Sequence, residues 1–164
     1  FIDIMNHKED FIKIGNETLR KKSKPVVSFD EDLATLLDDM KKTMIEKRGV
    51  GIAAVQVGVL RRAIIIEVDE NEYLELINPV ILKTKGSVKD SEGCLSIPDF
   101  YCEVKRPKFV EVKAFDRKGR EFTFDAKDYL ARCVCHEIDH LNGVLFVDYT
   151  EEGKRYREKF EKEV

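Results

Sequence analysis

The stretch CHEIDH, residues 135–140, contains two of the three histidines in this 164-residue chain, four positions apart. Residues i and i+4 of an α-helix lie on one face, so His136 and His140 could ligate one metal ion through their imidazole nitrogens. Glu137 follows the first histidine but is rotated off that line, where its carboxylate can reach a metal-bound water as a general base. Two ordinary helix histidines are the alternative, which the rarity of histidine elsewhere disfavours. The pattern predicts a hydrolytic metal site on a helix.

The third metal ligand separates the hypotheses about this site. No histidine follows His140, which excludes the longer pattern with a third histidine downstream. A thermolysin-type peptidase would use a downstream glutamate, and Glu158 and Glu161 are available, although their charged segment is more typical of a solvated face. Cys133 shares the stripe of the two histidines, but residues 133–140 span about 10 Å of helix axis, too far for one ion. Cys133 can therefore line the pocket without completing the site.

Cys94, in the stretch EGCLSIP at residues 92–98, is the remaining candidate ligand. A free cysteine is more often a buried structural residue. However, Glu92 and Ser96 stand two positions to either side, where a strand in the core would have apolar residues. Two other classes of protein stay open: a peptidase with a downstream glutamate, and a non-catalytic module whose metal is closed to water by a fourth protein ligand.

Three segments, in this order along the chain, resemble the peptide deformylases. GVGIAAVQ at residues 49–56 is similar to the family's glycine-rich first motif. EGCLS at residues 92–96 matches the second motif at every position, and HEIDHLNG at residues 136–143 matches the third. The resemblance runs from about residue 14 to residue 148. Three motifs in the right order are far more specific than any one of them.

The departures from the family pattern are small. Ile52 replaces the usual leucine, and IGNETLR at residues 14–20 lacks the usual proline. Cys135 stands where the family has glutamine before the first metal histidine, which puts one contact behind that ligand in doubt. GVGIAA also fits the dinucleotide-binding fingerprint, but that fingerprint needs a strand before it and a helix after it. Here a helix is predicted before it and a strand after it, so we do not favour nucleotide binding.

The resemblance implies a hydrolase that removes the formyl group from N-formylmethionine at the start of new polypeptides and releases formate. It implies one divalent metal ion, most often Fe(II), with Zn, Ni and Co as alternatives. The residues implied to bind the ion are Cys94, His136 and His140. Glu137 would act as the general base on the water. The Gln56 amide and the Leu95 backbone N–H would donate to the formyl oxygen.

The resemblance also implies an apolar pocket for the methionine side chain. Gly51, Tyr129, Cys133 and His136 are the residues expected to line it. Arg106 corresponds to a substrate-side arginine, with an ordinary surface charge as the alternative. The implied partners are nascent formyl-Met peptides, and a transient contact with the ribosome is left open.

Composition sets outer limits on function. The net charge of −3 gives no broad attraction to anionic lipid or nucleic acid, and we expect no sequence-specific nucleic-acid binding. The apolar runs, such as residues 63–66, are far too short to span a membrane. No secretory signal is visible, and we expect free cysteine thiols in a bacterial-type cytoplasm. Because Met5 is the first methionine, residues 1–4 are expected to be a trimmed or non-native end.

The elements that position these residues are predicted to form one domain over residues 1–164. The predicted class is α+β: antiparallel strands and hairpins packed around a central metal-binding helix, with N-terminal and C-terminal helices. The predicted strands cover residues 60–68, 73–83, 100–104, 109–116 and 120–124. Residues 116–119 form a hairpin turn between the last two.

Helix boundaries are predicted from capping residues and apolar spacing. Apolar residues at helical spacing predict a helix over residues 30–47 with Asp30 as its N-cap. The metal-binding helix is predicted to begin near Asp125 and to end at the Asn-Gly pair of residues 142–143. The final helix is predicted from apolar residues four apart, namely Tyr156, Phe160 and Val164.

Overall fold

The computed structural model describes residues 11–161. Within them the helices are α1 (Glu31–Glu46), α2 (Asp128–Leu141) and α3 (Glu151–Arg157), with short 3-10 segments at Glu17–Arg20, Ala54–Val57 and Phe146–Tyr149. The strands are β1 (Gly51–Ala53), β2 (Ala63–Glu67), β3 (Tyr73–Lys85), β4 (Val88–Cys94), β5 (Ile97–Arg106), β6 (Phe109–Phe115) and β7 (Glu121–Lys127). The predicted α+β class is confirmed. None of the described helices is long and apolar enough to cross a membrane.

The strands form two antiparallel sheets. One sheet has the order β1-β2-β3-β6-β7, and β4 pairs with β5 in a separate hairpin. The hairpin is inserted in the sequence between β3 and β6, which pair with each other. Because it leaves the main sheet, the β4–β5 hairpin is free to pack beside α2.

Strand β2 is covered on both faces of the main sheet. Its residues from Ala63 to Ile66 are fully buried. Successive residues of a strand point to opposite faces, so a strand that is covered on both faces has a continuous apolar run. Ile64 and Ile66 belong to the core that includes α2, whereas Ala63 and Ile65 belong to the core that includes α1. The two helices therefore cover opposite faces of the main sheet.

Helix α1 forms as the sequence predicts. The Asp30 carboxylate accepts a hydrogen bond from the Leu33 backbone N–H at 3.1 Å and satisfies one free donor of the first turn. Leu37, Met40 and Met44 are buried along one stripe. Each such side chain contributes about 1.5–3 kcal/mol when fully removed from water. This stripe holds α1 against the sheet.

Helix α2 begins three residues later than the predicted start at Asp125. Asp125 lies instead in β7, where it pairs with Glu111 of β6. The N-cap of α2 is Lys127, whose side chain makes no capping hydrogen bond. Strand pairing thus extended β7 through the residue that we predicted as the cap. The predicted C-terminus is correct, since Asn142 is the C-cap and Gly143 follows with φ +74°.

Two further elements differ from the prediction. Strand β4 was not predicted, because its sequence VKDSEGC has little apolar character. Helix α3 ends at Arg157, so Phe160 lies in the turn that follows rather than on the helix. Val164, the last residue of the predicted stripe, lies outside the described residues.

Candidate active site

Helix α2 places His136, Glu137 and His140 at the centre of the molecule. The two imidazole rings lie one turn apart with their centroids separated by 5.1 Å, and both are buried. Burial of a titratable ring is costly unless its nitrogens have partners, so the groups that face these two rings indicate what the rings do.

The β4–β5 hairpin brings Cys94 to these histidines. The Cys94 Sγ lies 3.2 Å from His140 Nε2, although the two residues are 46 positions apart in sequence. One ligand atom from each of Cys94, His136 and His140 lies within 4.8 Å of the others, and no other such group of His, Cys, Asp or Glu occurs in residues 11–161. One sulfur and two nitrogen donors at this separation fit a tetrahedral metal ion with an open fourth position.

A buried carboxylate orients His136. Glu92 Oε1 lies 2.8 Å from His136 Nδ1, and the same carboxylate accepts hydrogen bonds from Arg106 and Arg132. Burial alone would raise the pKa of Glu92, but the hydrogen bonds from Arg106 and His136 hold it well below its usual range. An ionised carboxylate only accepts, so Nδ1 carries a proton and Nε2 is the nitrogen left for a ligand. Burial alone would lower the pKa of His136, but Cys94 and Glu92 raise it well above its ordinary value, so a metal ion bound at Nε2 would have to displace a proton there.

His140 presents the second nitrogen donor. Burial lowers the pKa of His140 well below its ordinary value, so the ring is neutral. Its Nε2 faces the Cys94 sulfur, and its buried Nδ1 has no hydrogen-bond partner among the described residues. A neutral imidazole is the form that binds a metal ion.

Glu137 has the properties expected of a general base. It is 5% exposed, and its Oε1 is a buried oxygen with no hydrogen-bond partner in residues 11–161. Burial raises the pKa of Glu137 to about 7. A carboxyl with a pKa near neutrality can both accept and release a proton.

Gly51 explains how the backbone approaches Glu137 so closely. A Cβ atom added at Gly51 would lie 2.8 Å from Glu137 Oε2 and 3.3 Å from its Cδ. Real Cβ atoms do not come this close to another heavy atom without a shift. The second glycine of the first motif therefore makes room for the carboxylate.

Gln56 is fixed in position by both ends of its amide. Its Oε1 accepts from the Ala53 backbone N–H at 2.9 Å, and its Nε2 donates to Ser96 Oγ at 2.9 Å. The same Nε2 lies 3.7 Å from Cys94 Sγ. One amide hydrogen is thus directed to Ser96, and the amide group lies beside the candidate metal ligand.

A cavity of about 340 Å³ opens in front of these residues. The sequence-predicted residues that line it are Gly51, Gln56, Cys94, Leu95, Tyr129, Cys133, His136 and Glu137. Burial raises the pKa of Cys133 to about 12, so this residue is a neutral thiol on the wall rather than a thiolate ligand. Cys135, the departure from the family pattern, is also buried, and it lies outside the ligand group.

The position of Arg106 differs from both expectations. Its side chain is 4% exposed, so it is not a surface charge, and it is not part of the cavity wall. Its guanidinium donates to Glu92 and to Asp139 Oδ2 at 2.7 Å. Because all these partners are buried or half-buried, Arg106 holds Glu92 behind His136. The substrate-side interpretation is therefore corrected to a positioning contact.

Sequence reasoning missed four residues on the cavity wall: Arg48, Ser91, Tyr101 and Arg132. Arg48 follows the end of α1, and its left-handed backbone with φ +57° carries the chain into the first motif. Ser91 and Tyr101 come from β4 and β5. No local pattern identifies them, because only the pairing register of the hairpin places them at the cavity.

The downstream glutamates do not complete the metal site. Glu161 binds Arg20 through both carboxylate oxygens, and Glu158 is the exposed C-cap of α3. Neither belongs to the group of candidate ligands. The thermolysin-like alternative is therefore not favoured.

Comparison with known proteins agrees with this geometry. The sequence matches the polypeptide deformylase family over residues 8–156. The chain belongs to this family. The deformylase of Caldicellulosiruptor bescii is 58% identical over 133 residues, which cover 81% of this chain and 80% of the relative. That of Thermoanaerobacter pseudethanolicus is 53% identical over 151 residues and 92% of each chain.

Solved deformylase structures share the fold. A peptide deformylase from Legionella pneumophila superposes with a TM-score of 0.87 at 42% identity and covers 92% of this chain and 90% of its own. A peptide deformylase from Synechococcus elongatus in complex with actinonin gives a TM-score of 0.85 at 40% identity, covering 92% and 84%. The family prediction made from the three motifs is confirmed. This member of the deformylase family is thus an amide hydrolase of a metal-dependent class.

Proposed function

We propose that this chain removes the formyl group from N-formylmethionine at the N-terminus of newly made polypeptides, with Cys94, His136 and His140 as metal ligands and Glu137 as the proton-transfer group. One observation carries the assignment of residues. The three ligand atoms converge beside a buried carboxylate whose Oε1 has no hydrogen-bond partner in the described chain. A thiolate, two imidazoles and a free carboxylate at one cavity suit hydrolysis of an amide.

A divalent ion bound by these residues would supply a Lewis acid and lower the pKa of a water molecule toward neutrality. Glu137 accepts a proton from the attacking water. It then delivers that proton to the amine nitrogen as the bond between that nitrogen and the formyl carbon breaks. The products are formate and a free N-terminal methionine. A pKa of about 7 for this carboxyl allows it to serve as base first and acid second.

Two hydrogen-bond donors are proposed for the formyl oxygen. Gln56 Nε2 donates one hydrogen to Ser96 Oγ and the other, over 3.7 Å, to the Cys94 sulfur, so the second hydrogen already faces the candidate ligand group. The Leu95 backbone N–H follows Cys94 on the cavity wall. Donors that are fixed before the reaction stabilise negative charge as it develops, and removing one such donor costs about 10²–10³ in rate.

The methionine side chain is proposed to occupy the cavity between α2 and the first motif. Gly51, Tyr129, Cys133 and His136 border it, and the neutral Cys133 thiol adds no charge there. An unbranched thioether chain is flexible enough to pack against the apolar part of this mixed cavity wall.

The function is tested by formate release from formyl-Met-Ala-Ser by metal-loaded protein. We expect Glu137→Gln to keep its metal content and circular dichroism spectrum but to lose activity by several orders of magnitude, on the order of 10³ or more. Glu158→Gln, on an exposed carboxylate, is the matched control and should retain activity. Cleavage of an internal peptide bond without formate release would contradict the deformylase assignment and favour a peptidase.

For the metal we propose Fe(II), following the family resemblance. A thiolate-bound ferrous site is open to oxidation of the ion or of the Cys94 sulfur. We therefore expect iron-loaded protein to lose activity in air, nickel-loaded protein to be stable, and zinc-loaded protein to be stable but slow. Equal turnover and equal air stability of the iron and zinc forms would contradict iron.

The proposed substrate also suggests where the enzyme acts. N-formylmethionine begins newly made polypeptides, so we propose a bacterial-type cytoplasm, and the four cysteines are all free, in keeping with a reducing compartment. Transient ribosome contact stays a prediction. Co-sedimentation of the protein with ribosomes would test it.

A further inference from the structure

The mouth of the cavity carries an aromatic ring that the proposed reaction does not use. Tyr101 lies on β5 and lines the cavity, yet its side chain is 67% exposed. Tyr is one of the side chains that contribute most to binding when a ligand covers it. The ring is therefore a candidate contact for substrate.

The Tyr101 ring is held in place by the strand opposite. A Cβ atom added at Gly93 would lie 2.3 Å from Tyr101 Cε2 and 2.6 Å from Cδ2, so the ring fills the space where a side chain of residue 93 would be. The register of the hairpin shifts between Glu92 and Cys94, which marks an irregularity at this glycine. The missing side chain of Gly93 thus makes room for one side of the ring against the backbone, and most of Tyr101 remains exposed.

The distance of this ring from the reacting centre limits which part of a substrate it can touch. Gly93 adjoins Cys94, and adjacent Cα atoms are about 3.8 Å apart. With a formyl group at Cys94, His136 and Glu137, the methionine side chain occupies the cavity. The following residues must leave through the mouth, and each extends the peptide by about 3.5 Å. The ring is within reach of the first two residues after methionine.

We propose that Tyr101 is a specificity-determining residue that favours an aromatic or large aliphatic side chain in one of the two residues following formyl-methionine. The proposal rests on the proposed function, since it places formyl-methionine in this cavity. The phenol ring offers an apolar surface that is already in position before the peptide binds, so it loses little conformational freedom on binding. Small or charged side chains at those positions gain no comparable contact.

The test compares kcat/KM of metal-loaded enzyme for two peptide pairs, formyl-Met-Phe-Ser against formyl-Met-Gly-Ser and formyl-Met-Ser-Phe against formyl-Met-Ser-Gly. We expect wild type to prefer phenylalanine in at least one pair by roughly three- to tenfold, the range of one aromatic contact. Tyr101→Ala should reduce that ratio to near one, and Tyr101→Phe should keep it. Tyr129→Ala, which alters the methionine pocket, should change all four peptides by a similar factor.

The outcomes separate this proposal from the function it rests on. No formate from any peptide with wild-type enzyme would contradict the deformylase function itself. Formate from all four peptides with no phenylalanine preference would contradict only the role of Tyr101. If the preference for phenylalanine persists in Tyr101→Ala but disappears in Tyr129→Ala, Tyr129 and not Tyr101 makes the contact. Loss of stability in Tyr101→Ala with an unchanged ratio would show that the ring merely covers Gly93.

Discussion

The Cys94 sulfur supplies the one candidate ligand that does not come from α2. Without it, two imidazoles one helical turn apart form an incomplete set for a tetrahedral ion. We expect Cys94→Ala to lose its metal, and Glu158→Ala and Glu161→Ala to keep it. Elemental analysis of the three purified variants is the measurement. If Cys94→Ala binds a full equivalent of metal, Cys94 is not a required ligand, and a downstream glutamate would again be a candidate for the third ligand.

Gly51 permits a second test at the scale of single atoms. In Gly51→Ala the new methyl would lie 2.8 Å from Glu137 Oε2, so the carboxylate must move away. Displacement of a catalytic group by about 1 Å can cost roughly 10²-fold in rate, so we expect kcat for formyl-Met-Ala-Ser to fall by 10- to 100-fold. Metal content should stay the same, since the atoms nearest the new methyl belong to Glu137 and not to a candidate ligand. Unchanged kcat would show that Glu137 tolerates the shift and is not held in a required position.

The sequence predicts some site residues better than others, for physical reasons. His136, Glu137 and His140 follow from helical spacing alone. Cys94 required recognition of a motif, because the contact with His140 depends on a hairpin that no periodicity reveals. Arg106 could not be predicted, since the burial of a charge is decided by its partners, and these come from β4 and α2.

At the scale of elements, Arg106 connects β5 to β4 and α2. It donates to Glu92 and Asp139, and the Tyr149 hydroxyl donates to the same Asp139 carboxylate at 2.7 Å. We expect Arg106→Ala to lower the free energy of unfolding by about 3 kcal/mol, because it removes the guanidinium that pairs with the buried Glu92 and the half-buried Asp139 carboxylates. The comparison is Arg120→Ala, whose side chain is 74% exposed in an ion pair within a turn and should change stability by less than about 0.5 kcal/mol.

Urea denaturation of the two variants measures the two free energies of unfolding and so tests whether the buried ion pair contributes more than the exposed one. Equal stability of Arg106→Ala and Arg120→Ala would show that Arg132 and His136 satisfy Glu92 without Arg106. In that case Arg106 would have no positioning role behind His136.

Elements with local signals were predicted with nearly correct bounds, whereas β4 and the C-terminal end of β7, which depend on pairing with a neighbouring strand, were not. Helix α1 has its own cap at Asp30 and its own apolar stripe. The turn at residues 116–119 is closed by its own hydrogen bond from Gly119 N–H to the Asp116 carbonyl. In contrast, the alternation of Phe122, Phe124 and Ala126 extends β7 beyond the predicted cap, because β6 supplies partners as far as Lys127.

At the scale of the whole molecule, ion pairs join the two ends of the described chain. Arg20 donates to Asp148 Oδ2 at 2.7 Å and to Glu161 Oε2 at 2.7 Å, and Arg157 also binds Asp148. The 3-10 segment that ends at Arg20 is thereby fastened to the segment around α3.

Acid should weaken this connection. Burial alone would raise the pKa of Asp148, but its hydrogen bonds from Arg20 and from the Leu145 N–H lower it. A carboxyl whose pKa is lower in the folded state stabilises the fold above its unfolded pKa of about 3.9, and that contribution is lost as pH falls through the folded pKa. We expect the free energy of unfolding of Asp148→Asn to fall less between pH 7 and pH 3 than that of wild type.

Urea denaturation at pH 7, 5 and 3 measures this difference. Asp125→Asn, at an exposed position of β7, is the control and should follow the wild-type pH dependence. If the free energy of unfolding depends on pH in the same way for wild type and Asp148→Asn, groups other than Asp148 cause the loss of stability in acid.

The shared carboxylate of Glu92 has a consequence for how this chain can change over evolutionary time. Three side chains from two other elements, Arg106, Arg132 and His136, all donate to it. Replacement of any one of these four residues leaves a buried charge with fewer partners, so a single substitution should destabilise the fold even where a combined substitution of several would not. These four positions should therefore be inherited as a set, and relatives that differ at one of them should carry a compensating difference at another.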